Sequence, residues 1–183
     1  MKAVVVYESM FGNTHEVATQ IGEGLRQAGV DALIVRVGDC TDDLVRSAQL
    51  LVVGGPTHIH TMTRPRTRTA AVSQAEAAHR GAQPGADGPG VREWLDDLGH
   101  GHGVLAAAFD TRQNASKVLT GQASRVIHHR LVDQGFECIA PVNSFLVDKQ
   151  PQLLIGERER ALAWGRTLGH DATSRAPEPS HIG

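Results

Sequence analysis

The sequence predicts a doubly wound α/β fold, on three observations. Five short aliphatic runs alternate with segments of helical periodicity, as in a parallel sheet with helices on both faces joined by right-handed crossovers. The runs are continuously apolar, as strands buried on both faces must be. Three of them empty abruptly into polar bends, after Tyr7, Val53 and Phe109.

Ala3–Tyr7 is the first strand. A helix over Thr14–Ala28 follows, with Val17, Ala18, Ile21, Leu25 and Ala28 on one face and Gly29 as its C-terminal cap. Gly22 and Gly24 inside that helix each cost about 1 kcal/mol relative to alanine, which points to close packing on the sheet. Ala32–Val37 is the second strand. Thr41 caps a short helix to Ser47, with Asp42 and Asp43 in its first turn. Leu50–Val53 is the third strand and Val104–Phe109 the fourth.

The long segment between those two strands divides into a helix near Thr67–Ala78, a loop over Gly81–Gly90 and a helix at Val91–Leu98. In that last helix Val91, Trp94, Leu95 and Leu98 keep i, i+3, i+4, i+7 spacing. A helix over Gln122–Gln134 follows the fourth strand, turning Ala123, Val126, Ile127 and Leu131 inward. Phe136–Val147 holds the fifth strand, interrupted near Pro141. Glu157–Leu168 is the last helix. One domain is expected over residues 1–169, with a disordered polar tail over 170–183.

Doubly wound sheets come in two common strand orders, and a five-stranded sheet suits 2-1-3-4-5. Ligands of such folds sit beyond the carboxyl ends of the strands, where the order reverses. The three polar bends share that edge and converge on one pocket.

Composition removes several classes. A formal charge of -2 over 183 residues argues against nucleic-acid binding. No apolar run reaches the roughly 18 residues of a membrane span. A strand begins one lysine after Met1, leaving no room for a signal peptide, so a cytoplasmic protein is expected. Cys40 and Cys138 fall at opposite sheet edges, about four spacings of 4.8 Å apart, too far for a disulfide. The histidine pairs at His58 and His60, His100 and His102, and His128 and His129 lack the companions of a zinc site. No metal is expected.

The bend Ser9-Met10-Phe11-Gly12-Asn13-Thr14 joins a strand to a helix. A helix N-terminus offers backbone N–H groups and about half a positive charge, enough to seat a phosphate. Ser9, Asn13 and Thr14 add polar donors, and Gly12 adds flexibility. The Gly-Lys-Ser/Thr ending of nucleoside triphosphatases and the Gly-x-Gly-x-x-Gly of dinucleotide sites are both missing. An uncharged loop suits a phosphomonoester held by backbone dipoles.

These residues resemble the flavodoxins. Val5, Val6, Tyr7, Ser9, Gly12, Thr14, Ala18 and Ile21 stand at every fixed position of that family's signature, and Gly54-Gly55-Pro56-Thr57-His58 is similar to its Gly-x-Pro-Thr bend. The resemblance covers about Lys2–Leu168 and is weakest over Arg64–Gly90. It implies a flavodoxin-like three-layer sandwich, a five-stranded parallel sheet in order 2-1-3-4-5, and non-covalently held FMN. Carried over, Ser9, Met10, Phe11, Gly12, Asn13 and Thr14 would hold the phosphate. Pro56, Thr57, His58, Ile59 and His60 would flank the isoalloxazine ring, and Asp110, Thr111 and Arg112 would approach its pyrimidine edge.

The resemblance implies an electron-transfer protein working with redox partner proteins or a small-molecule acceptor, with no catalytic side chain. Three departures open other readings. No Trp or Tyr lies in either flavin loop, and Thr57–Met62 has no glycine to ease the peptide flip that stabilises a one-electron-reduced flavin. The charge is weakly acidic for a protein steered to its partners by an acidic face. Asp87, Glu93, Asp96 and Asp97 are the one acidic run and read as a solvated helix face. Arg112 could stabilise reduced flavin or be a plain surface arginine. Arg64, Arg66 and Arg68 could meet an anion such as a nicotinamide cofactor's phosphate, and read more simply as a solvated loop. The alternatives are therefore an FMN-dependent NAD(P)H:quinone or small-molecule reductase, and a flavin-free binding module on the same fold.

Overall fold

The computed structural model describes residues 1–58, 61–65, 68–69, 88–116, 120–148, 150 and 152–175. Strand β1 (Lys2–Tyr7) leads into helix α1 (Asn13–Gln27), and β2 (Asp31–Arg36) returns in parallel beside β1. Helix α2 (Asp42–Ser47) is capped as its sequence predicts, the Thr41 hydroxyl accepting from the Leu44 N–H. β3 (Leu50–His58) lies parallel to β1 on its other side, and β4 (Thr61–Met62) folds back antiparallel against the end of β3. Helix α3 (Val91–Asp97), β5 (Leu105–Gln113), helix α4 (Ala123–Asp133), β6 (Glu137–Cys138), β7 (Asn143–Val147) and helix α5 (Glu157–Arg175) complete the chain.

The main sheet runs β2-β1-β3-β5, with β6 and β7 sharing the far edge as two pieces of one strand, so the expected order 2-1-3-4-5 stands. Between those pieces the edge strand carries two more residues than β5 across the gap. Ala106 pairs with Cys138, but Phe109 pairs with Asn143. Pro141 lies in that excess, where its missing N–H costs no ladder bond.

Alternation along the strands builds two cores. Ala3, Val5, Leu50, Val52, Ala107 and Phe109 point toward α1 and α5. Val4, Val6, Leu51, Val53, Ala106 and Ala108 point toward α3 and α4. The fully buried Val, Leu and Phe side chains among them contribute about 1.5–3 kcal/mol each.

The helical glycines divide by partner. A Cβ on Gly22 would strike Ile34 of β2, so that glycine does pack on the sheet. Gly24 instead meets the backbone of α5 at Leu162 and Arg166, and Gly165 meets the Ile21 carbonyl in return. The second glycine therefore serves a helix–helix contact rather than the sheet.

Three boundaries differ from the sequence reading. β3 does not stop at Val53, because Gly54, Gly55 and Pro56 stay paired with Phe109, Asp110 and Thr111. β5 does not bend at Asp110, because Phe109–Gln113 pairs with Asn143–Val147. The last helix passes Leu168 and runs to Arg175, with Leu168, Gly169 and Ala172 buried. The residues expected as tail from His170 are therefore helical as far as Arg175, and residues 176–183 lie outside the described residues. The Thr67–Ala78 helix and the Gly81–Gly90 loop fall mostly outside them too.

Among the described residues no helix is long and apolar enough to cross a membrane.

Candidate functional site

The sheet opens where its order reverses. β1 ends at Tyr7, paired with Gly54, and the Glu8 N–H makes a last bond to the Gly54 carbonyl at 3.0 Å. Beyond that point β3 loses its neighbour on one side, and a cleft forms between its end and the β1–α1 turn. Pro56 sits on this open stretch.

The turn is shaped for the helix end. The Ser9 Oγ accepts from the Gly12 N–H at 3.1 Å. Gly12 takes φ 95°, a left-handed conformation that favours glycine, and stands as the N-cap of α1 with no side chain closing the helix end. The Thr14 and Thr111 hydroxyls share a hydrogen bond of 2.8 Å, tying the first turn of α1 to β5. Arg36 supports the turn from β2, its Nη2 donating to the Ser9 carbonyl at 3.3 Å.

Ser9, Met10, Phe11, Asn13 and Thr14 line one wall of the cleft, and Pro56, Thr57, Thr111 and Arg112 line the other. Most of the expected site residues thus come together. Ile59 and His60 lie outside the described residues, and for His58 only the backbone is described, paired with Thr61. Gln113 and Val147 also line the cleft, and sequence reasoning missed both. Their signal lay in the length of the fourth strand, which was cut short at Phe109.

Asp110 behaves differently from its expected role. It is fully buried, and its Oδ2 accepts from the Thr57 hydroxyl at 3.0 Å, the Ser124 N–H at 2.9 Å and the Ser124 hydroxyl at 3.0 Å. The Thr57 Oγ1 in turn accepts from the Ala123 N–H at 2.9 Å. Asp110 and Thr57 therefore satisfy the N-terminus of α4, and the Asp110 side chain is not part of the cleft wall. Period-two alternation turns it toward α4, where carboxylate charge meets the positive helix end.

Arg112 is a lining residue, only 8% exposed. Its Nη1 donates to the carbonyls of Ala115 at 2.8 Å and Gln113 at 3.3 Å, and to the Thr120 Oγ1 at 3.3 Å. Its buried Nε has no hydrogen-bond partner among the described residues. The plain surface-arginine reading does not hold.

Beside the turn lies a buried polar network absent from the sequence reading. The Glu8 carboxylate accepts from the Thr63 hydroxyl and, at 2.9 Å, from the Val91 N–H. Arg68 donates to the Thr63 Oγ1 at 3.1 Å and pairs with Glu93 at 2.8 Å. A Cβ on Gly90 would run into the Arg68 guanidinium and the Glu8 carboxylate, so a side chain there would have to push these groups aside. Burial pushes the Glu8 carboxyl up from its ordinary range. The bonds from Thr63 and Val91 and the charge of Arg68 pull it back, while Glu93 adds to the rise. Arg68, expected as part of a solvated loop, is 3% exposed. Of the acidic run expected as a solvated helix face, Asp96 and Asp97 are exposed, Asp96 pairing with Arg130, whereas Glu93 is half-buried and pairs with Arg68. The only sign of this network in the sequence was Glu8 itself, a charge set between an apolar strand and a polar turn.

Cys40 and Cys138 are free, and burial pushes both thiols up to about 11. Among the described residues no group of three or more metal-ligating side chains converges.

Residues 5–62 match the family model described as Flavodoxin. No curated protein matches the chain. Solved structures do match over nearly its whole length. A flavodoxin from the domain Archaea shares 20% identity at a TM-score of 0.65, covering 94% of this chain and 99% of that one. Oxidised flavodoxin 1 from Bacillus cereus shares 16% at 0.62, covering 97% and 100%. The Flv1 flavodiiron core from Synechocystis shares 15% at 0.61, covering 96% of this chain but only 37% of that one.

Proposed function

We propose, from the flavodoxin-like fold and the family-model match over residues 5–62, that this chain holds FMN non-covalently in the cleft between the β1–α1 turn and the ends of β3 and β5, and passes electrons between redox partners. The observation that carries the reading is the Ser9–Thr14 turn, which places an uncapped helix N-terminus at the point where the sheet opens. The donor set fits a phosphorylated ligand. The helix end supplies N–H groups and positive potential, Asn13 and Thr14 line the wall, and among the described residues no carboxylate does.

FMN, when bound, supplies the redox chemistry. The chain's part is placement. Ser9 and Gly12 hold the turn in shape. Thr14 and Thr111 fix the distance between the phosphate wall and β5. Asp110 and Thr57 stiffen the opposite wall by locking it to α4. Pro56 and Thr57 border the half of the cleft assigned to the ring. No side chain needs to act as acid, base or nucleophile.

Titration of apoprotein with FMN tests this directly. The expected result is stoichiometric quenching of flavin fluorescence and yellow protein after gel filtration. Protein that stays colourless and leaves the fluorescence unchanged would instead support a flavin-free binding module.

A reductase reading draws on one observation. The segment after the ring-side wall is pinned, β4 being paired to β3 and Thr63 tied to Glu8. Thr57–Met62 also lacks a glycine. A glycine-free sequence there disfavours the peptide flip that stabilises a one-electron-reduced flavin, which leaves two-electron chemistry such as hydride transfer from NAD(P)H. NAD(P)H oxidation with quinones, run without any partner protein, separates the two. Turnover well above the free-FMN rate makes the protein a reductase.

A further inference from the structure

Arg112 is the only charged residue lining the cleft among the described residues. Its guanidinium is buried, and each of its described hydrogen bonds goes to a neutral oxygen. No ion pair within 4.0 Å involves it among the described residues, and its Nε is unsatisfied. The nearest acid along its strand face is Asp110, whose Oδ2 is committed to Thr57 and Ser124 and whose buried Oδ1 makes no hydrogen bond to Arg112 or to any other described residue. A buried cation without a counter-charge is costly. It is tolerated where a ligand brings the missing negative charge, and functional clefts are where such groups collect.

We infer that Arg112 is the counter-charge of the reduced flavin, so that this cleft binds reduced FMN more tightly than oxidised FMN. The inference rests on the FMN reading above. Two electrons and one proton convert the neutral oxidised ring into a ring carrying one negative charge. The phosphate keeps its charge throughout, so its attraction to Arg112 is the same in both states and cancels. Only the ring's new charge interacts differently with the guanidinium, and a dry wall strengthens that difference. The Nη1 bonds to Gln113, Ala115 and Thr120 hold the side chain in place before the electrons arrive, as preorganised stabilisation requires.

The test is a dithionite titration of FMN-loaded protein, with separate measurement of the affinities for oxidised and reduced FMN. Wild-type protein should hold bound FMN at a two-electron midpoint potential above that of free FMN. Arg112→Gln should weaken reduced FMN at least tenfold more than oxidised FMN, equivalent to a fall of about 30 mV in the two-electron potential. Arg112→Lys, which keeps the charge, should stay within about threefold of wild type. Three results would overturn the inference: a wild-type midpoint below that of free FMN, a glutamine variant that loses both redox states equally, or a lysine variant that falls as far as the glutamine one. The first needs no variant, so it decides the matter even if Arg112→Gln does not fold. Wild-type protein that binds no FMN at all removes the FMN reading and the inference together. Binding with an unmoved potential in Arg112→Gln removes the inference alone.

Discussion

Asp110 and Glu8 show how far a single residue type can be read. Both are acids near the edge where the sheet opens, Glu8 just after β1 and Asp110 within β5, and both are buried. Asp110 was legible as important and illegible in role, because a ligand edge and a helix N-terminus ask for the same carboxylate. Asp110→Ala would leave the buried donors of Thr57 and Ser124 without their acceptor, at about 1–3 kcal/mol. Urea unfolding should show that loss as a lowered midpoint. Glu8 makes a prediction about pH. Its carboxyl is raised in the folded protein, chiefly by burial. The folded state therefore binds more of the proton than the unfolded chain over that interval. Stability from this group is full at low pH and is lost as pH rises from the ordinary glutamate range near 4.3 through the folded value. Glu8→Gln should flatten that decline in urea midpoints measured between about pH 4 and pH 7.

At the scale of elements, periodicity located the strands and most helices, and misjudged where two strands end. Gly54-Gly55-Pro56-Thr57 and Asp110-Thr111-Arg112 have the composition of turns, yet both remain in the sheet because each has a partner strand to pair with. The consequence is functional. Thr57, Thr111 and Arg112 stand on strand rather than on loop, and are held more firmly for it. The contact between α1 and α5 was likewise hidden, since a glycine inside a helix does not announce its partner. Gly165→Ala would drive a methyl group into the backbone of α1 at the Ile21 carbonyl, which cannot swing aside as a side chain could. The expected cost is about 1–3 kcal/mol, read as a lowered urea midpoint with an unchanged slope. Ala163→Gly, on the same helix, supplies the control for helix propensity alone, at about 1 kcal/mol.

For the whole molecule, the cleft couples binding to stability. Its walls come from β1–α1, β3 and β5, which are far apart in the chain, so a ligand that spans them binds the folded state only. FMN at about 100 times its dissociation constant should add about 2.7 kcal/mol to the unfolding free energy. A thermal melt with and without FMN measures it. An unchanged melting temperature at saturating FMN would contradict binding at this site.

The sequence by itself determined the fold class, the strand order, the strand-to-helix turn at Ser9–Thr14 and the family likeness. Each of these depends on short-range pattern: apolar runs, helical spacing, and a glycine and hydroxyl residues at fixed offsets. Tertiary structure alone decided that Asp110 serves α4, that Arg68 and Glu93 pair beside Glu8, and that Arg112 is a buried cation at the cleft. Those roles depend on which distant groups share a low-dielectric space. Charge at a position is visible in the sequence. What compensates that charge depends on contacts made only when β1, β3 and β5 come together.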